Sequence, residues 1–232
     1  MKRLKKWIDE VRAEKNEYAA GYWMCRYSGD TVEFLIHPHV VFQTDRYKHT
    51  VIRIGMLLKR LSEKMDETGY VFHIQTFPSL DDLKTVATIR LNVNISQGKS
   101  KNQSSETDSG TKTKQVLTSD QKLQQRAKKH NLQLIEIIDE DNLQQLEEIS
   151  DKLKAWYVIG GYHDNPFAWL HAGFLAEELC RMACRPENGD MPAIISGPEL
   201  SNIKNKLKVS DPPPFTHALI ALRSEPMKSS QV

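Results

Sequence analysis

Apolar positions along this chain recur with two periods, and the switches between them outline its elements. Leu4, Trp7, Ile8 and Val11 fall at helical spacing, which predicts a short amphipathic helix over residues 3–16. In "DTVEFLIH", Asp30 to His37, the period drops to two. Val32, Phe34 and Ile36 share one side, so this is a strand, entered through Ser28-Gly29. Helical spacing returns over about residues 47–68, where Val51, Ile54, Leu57, Leu58, Leu61 and Met65 form one face and Gly69 stands where a C-terminal cap belongs. "YVFHIQTF" (Tyr70 to Phe77) alternates until Pro78 stops it, and "TVATIRLNV" (Thr85 to Val93) predicts a third strand.

The pattern then lapses. "NISQGKSKNQSSETDSGTKTK", Asn94 to Lys114, holds one apolar residue and is rich in Ser, Gly, Lys and Asn. Such a stretch buries too little surface to offset its ordering entropy, so residues 94–118 are expected to form a mobile loop between a first half, 1–93, and a second, 119–232. The second half predicts a helix over 119–130, a strand over 132–139, and a helix opened by Asp141 as N-cap with Gln144 three residues on. A strand over 155–161, a helix over about 166–184 and a last strand over 216–223 follow.

The halves repeat an order of strand, polar bend, helix and strand. Gly55 aligns with Gly173, Leu57 with Leu175 and Leu61 with Leu179, and "VATIRL" matches "HALIAL". A Gly inside a buried helix costs about 1 kcal/mol relative to Ala, so it usually marks a close neighbour. Two at matched positions fit two helices crossing near a pseudo-twofold axis; each also fits a gap left for one large side chain. The same helix start raises a second question, because Trp169, His171 and Gly173 stand together where the rest of the helix is built for burial.

Bulk composition narrows the function classes. The 232 residues carry 32 basic and 30 acidic side chains, a net charge of +2, which gives no global electrostatic case for nucleic acid. Cys25, Cys180 and Cys184 are too scattered for a disulfide framework, which points to a reducing, cytoplasmic compartment. No apolar run approaches the roughly 20 residues that span a bilayer, so no membrane is expected. "MKRLKKWIDEVRAEK" lacks the apolar core of a signal peptide and reads as a solvated face. His37, His39 and His49 lack the carboxylate or thiolate partners of a metal site. Cys180 and Cys184, one helical turn apart, read as buried structural thiols, and Asp164 as the N-cap before Pro166.

Several segments, taken in order, resemble nitroreductase-like proteins, and most closely the acg family of flavin-binding proteins, in which one chain carries two nitroreductase-like halves. "DNPFAWLHAGFLAEELCRMA" is similar to that family's Trp-Leu-x-Ala-Gly helix, "RYSGDTVEFLIHPHVVFQTDRYKHTVIRIGMLLKRL" to its first-half strand and helix, and "GPELSNIKNKLKVSDPPPFTHALIALRSEP" to its closing turn and strand. Coverage runs from about residue 20 to 226, carried by the order of many weak motifs. The resemblance implies an α+β fold, a nitroreductase-like mixed sheet wrapped by helices in two pseudo-repeated halves. It also implies an FMN-dependent NAD(P)H oxidoreductase acting on a small aromatic or quinone acceptor, as a pseudo-dimeric monomer or a homodimer.

In that family FMN lies at the junction of the halves. The resemblance then points to Ser196 and Gly197 at the flavin's pyrimidine edge, Trp169 stacked on or near the ring, and Arg223 at the phosphate. Where the family has an arginine-rich phosphate motif this chain reads "GTKTKQV"; Lys112 and Lys114 supply charge there without the planar fork of arginine. The family's flavin-lining Pro-Ser…Asn…Gln-Pro-Trp segment has no clear match, with only "GYWMC" around Trp23 nearby. In such an enzyme the flavin carries the hydride and the protein supplies orientation, so no catalytic side-chain set is expected. The alternative is a non-catalytic protein of the same fold that has lost flavin or only sequesters it.

Overall fold

The computed structural model describes residues 2–14, 22–79, 81–91, 119–137, 155–183, 193–196, 200, 203 and 212–222. In the first half, α1 (Lys2–Glu14) is followed by β1 (Trp23–Ser28), β2 (Thr31–Ile36), α2 (Pro38–Val41), α3 (Thr44–Glu67), β3 (Phe72–Thr76) and β4 (Thr85–Leu91). In the second, α4 (Ser119–Lys129) leads to β5 (Leu132–Ile137), β6 (Ala155–Gly161), α5 (Pro166–Ala183), β7 (Ala193–Ser196) and β8 (Phe215–Leu222). The class is α+β, in two halves. The expected loop over 94–118 and the helix opened by Asp141 lie outside the described residues.

Both halves build the same sheet. The strand orders are β1-β2-β4-β3 and β5-β6-β8-β7. Every pairing among the described residues is antiparallel, so two separate antiparallel sheets stand in place of one mixed sheet. The correspondence extends to an irregularity: the register shifts at Phe34/Leu35 in β2 and at Ile159/Gly160 in β6, late in the equivalent strand of each half. The β1–β2 hairpin turns on Gly29-Asp30, and Gly29 takes a φ of 55° at the first central position, where primed hairpin turns place glycine.

The periodicity explains the packing. Leu4, Trp7, Ile8 and Val11 of α1 are buried, as are Val32, Phe34 and Ile36 on alternate positions of β2. In α3 the burial is continuous from Thr50 to Leu58, so this helix is covered on all sides and serves as the core's axis. It ends where Gly69, at a φ of 71°, leaves the helix. The main core runs through both halves, and a smaller cluster around Trp156, Val158 and Leu219 covers the other face of the second sheet.

The halves meet where α3 crosses α5. A Cβ placed on Gly55 would lie 2.3 Å from the carbonyl oxygen of Leu170, and one on Gly173 would lie 2.1 Å from that of Ile52. The contact is reciprocal, each glycine against the carbonyl three residues before its counterpart. Of the two sequence readings, the crossing is therefore the one seen, because the neighbour in each case is main chain and not a large side chain.

Three elements escaped the pattern. The edge strand β1 buries fully only Trp23, which removes the alternation signal. The four-residue β7 is too short to show a period, and α2 is a single turn. Among the described residues, no helix is long and apolar enough to cross a membrane.

A methyl group at the crossing has nowhere to go without moving a backbone. Overpacking of this kind costs about 1–3 kcal/mol, and each kcal/mol lowers the melting temperature of a chain this size by ~2–4 °C. Thermal denaturation of Gly173→Ala is expected to show a drop of several degrees; an unchanged melting temperature would count against this packing.

Candidate functional site: the seam between the halves

The crossing turns one face of α3 toward the second half, and that face carries Lys48, His49 and Arg53. Lys48 Nζ donates to Asp164 Oδ1 at 2.7 Å and to the Thr216 carbonyl at 3.3 Å. Trp169 Nε1 donates to the same Asp164 oxygen at 2.6 Å, and His217 Nδ1 lies 3.8 Å from it. The Trp169 ring takes the Lys48 ammonium over its face at 5.5 Å and the edge of Tyr47 at 5.9 Å. One carboxylate thus gathers an indole and a buried imidazole from its own half and a cation from across the seam.

Local sequence explains why Asp164 is available. The N-cap of α5 is Asn165, whose Oδ1 accepts from Ala168 N–H at 2.9 Å, so the cap assigned to Asp164 from sequence belongs to its neighbour. Burial acts to raise the Asp164 pKa, but hydrogen bonds from Lys48 and Trp169, with the charge of Lys48, leave it below the ordinary value. Asp164 is therefore ionised at neutral pH, as its partners require.

A second contact clamps the edge strand β7. His49 Nδ1 and Ser196 Oγ are 2.7 Å apart, and Arg53 Nη2 donates to the Ile194 carbonyl at 3.2 Å. Burial, reinforced by the Arg53 charge, pushes the His49 pKa down to about 4, so the imidazole is neutral at pH 7. A His–Ser pair invites a nucleophile reading, but the Ser196 hydroxyl is enclosed and has no access to a substrate.

Of the site residues implied by resemblance, the seam brings two together. Ser196 is 1% exposed with its hydroxyl on His49, and Trp169 is 6% exposed with its indole nitrogen on Asp164. The polar atoms of both are thus engaged within the protein, and Lys48 lies over the Trp169 ring. Gly197, Arg223, Lys112 and Lys114 lie outside the described residues. Trp23 packs in the first-half core against Phe34, with Arg12 over its ring at 4.7 Å. His37 and His39 stack on each other while His49 turns to Ser196.

Sequence reasoning missed the hub role of Asp164 and the use of His171. The His171 ring stacks on His130 at 3.8 Å, beside a cavity between α4 and α5. The three residues grouped at the start of α5 therefore have three separate duties. Trp169 joins the Asp164 network, His171 faces α4, and Gly173 makes the crossing. Nothing in the spacing of His130 and His171, on different elements, signals that they meet.

No protein-family model matches this chain, and no curated protein matches it.

Burial also holds the His171 pKa down, to about 4, with the nearby His130 adding to the effect. Both His49 and His171 thus take protons more readily in the unfolded chain, where their ordinary value is 6.5. Stability from this source is complete above pH 6.5 and is lost as the pH falls toward 4. Melting temperatures are expected to decline across that window, and His49→Gln should flatten part of the slope. A profile identical in the variant would show that His49 does not titrate with folding.

Proposed function

We propose that this protein is a nitroreductase-like scaffold that acts by binding, or as a structural component, and not by flavin turnover. One observation supports the reading above others: Ser196 and Trp169, the seam residues that a flavin would need, spend their polar atoms on His49 and Asp164. The "GTKTKQV" segment adds to it, since lysines there bind phosphate as point charges and lack a bidentate fork. The reading includes a reducing, cytoplasmic compartment, in line with the scattered cysteines. It also includes a monomer whose two halves take the place of a homodimer.

The competing reading is an FMN-dependent NAD(P)H oxidoreductase passing hydride to a small aromatic or quinone acceptor. It draws its support from the order of family-like segments along the chain. For that reading to hold, the Asp164 and His49 contacts would have to open to admit the ring.

Visible absorption separates the two. The purified protein is expected to be colourless near 450 nm and to leave the fluorescence of added FMN unchanged. A yellow protein that oxidises NADPH in the presence of a quinone would overturn the proposal, and a yellow protein without turnover would replace it with flavin storage.

A further inference from the structure

A second site lies away from the seam. Between α4 and α5 a cavity of about 120 Å³ opens toward Lys59 of α3. Its floor is apolar, formed by Ala127, Leu132, Phe174 and Leu175. One wall is flat and aromatic: His130 and His171 stack with rings 3.8 Å apart and 20° from parallel, and His171 meets Phe174 edge-on at 5.6 Å. The His171 Nδ1 is buried without a hydrogen-bond partner, so ring contacts do much to hold this wall. Burial lowers the pKa of both imidazoles, which keeps the wall uncharged at neutral pH.

The rim has the opposite character. Lys59 and Arg126 stand at the mouth, with Glu178 paired to Arg126 and Glu63 paired to Lys59 at 3.3 Å. Arg126 also lines an adjoining open groove of about 250 Å³ with Lys122, Gln125 and Lys129. Lys122, Arg126 and Lys129 recur at helical spacing along one face of α4, so the excess of cations over carboxylates comes from Lys122 and Lys129 in the adjoining groove.

We propose that this cleft binds a monocyclic aromatic carboxylate of about benzoate size. The size limit follows from volume: at about 120 Å³ the cleft is smaller than the enclosed cavity of about 150 Å³ that accommodates benzene, and it takes a single ring only because its mouth is open to solvent, whereas drug-sized ligands occupy roughly 300–1,000 Å³. The ring lies on the apolar floor beside the stacked imidazoles, in the offset or edge-on geometry that aromatic pairs prefer. The carboxylate lies at the mouth, where Arg126 presents the N–H donors that its Nη1 pairing with Glu178 leaves over and Lys122 adds charge. The cleft shares no residue with the Asp164 network, so the inference stands apart from the flavin question.

Calorimetric titration of the whole chain with benzoate at pH 7.5 tests it, with acetate and benzyl alcohol as probes lacking the ring or the charge. Benzoate is expected to bind saturably at one site, with both other probes at least tenfold weaker. Arg126→Gln should weaken benzoate at least tenfold. Because that change also strips Glu178 of its partner, Ala127→Leu provides an independent check: it fills the floor, leaves every charge in place, and should abolish binding without lowering the melting temperature. No saturable benzoate binding, equal binding of acetate or benzyl alcohol, or undiminished binding by Ala127→Leu would overturn the proposal.

Discussion

Where Gly55 and Gly173 meet, two helices touch through their main chains, and the carbonyls of Ile52 and Leu170 fill the space that side chains would otherwise take. An approach this close fixes both the height and the rotation of each helix against the other. Other residues on the crossing faces are placed as a result. Lys48 and Ile52 lie seven and three positions before Gly55, and Trp169 and Leu170 lie four and three before Gly173, so helical geometry turns all of them toward the contact. The Asp164 network and the clamp on β7 are consequences of that approach.

The network makes the seam specific as well as tight. Lys48 is largely withdrawn from water while Asp164 stays solvated, so the pair fixes the register of the halves more than it adds stability. Trp169 contributes a ring face to the cation and an N–H to the carboxylate, which ties the apolar core to the polar bridge. The repeat, meanwhile, is one of backbone geometry and not of chemistry. Arg53 and His171 occupy matching places, two residues before their glycines, yet Arg53 reaches a β7 carbonyl and His171 stacks on the imidazole of His130, just after α4. A true homodimer would present the same group twice; here each side of the pseudo-axis has its own function.

Much of this architecture is legible in the residues. Long amphipathic stretches such as Thr44–Glu67 and Pro166–Ala183 declare themselves because burial on a helix leaves a period. The paired glycines allowed the crossing as one of two readings, the other being room for a large side chain, and the main-chain neighbours decide for the crossing. Short and edge strands were harder: β1 has one fully buried side chain, and β7 has four residues. The seam chemistry was the least visible part. Asp164 and Asn165 are both good caps, and only the direction of approach of Lys48 and Trp169 decides which one caps and which one bridges. Ser196, expected from resemblance at a flavin's edge, is held instead by His49, 147 positions away, and no local pattern joins the two.

The account's central claim is that Gly55 and Gly173 form a single shared contact holding the halves together. A double-mutant cycle on unfolding free energy, with Gly55→Ala, Gly173→Ala and both together, addresses it most directly. If the helices share that contact, the first methyl group already forces them apart and the second adds little, so the double variant should be less destabilised than the sum of the singles by more than about 0.5 kcal/mol. Strict additivity would contradict the account, because it would mean that each glycine answers to its own surroundings and not to the other.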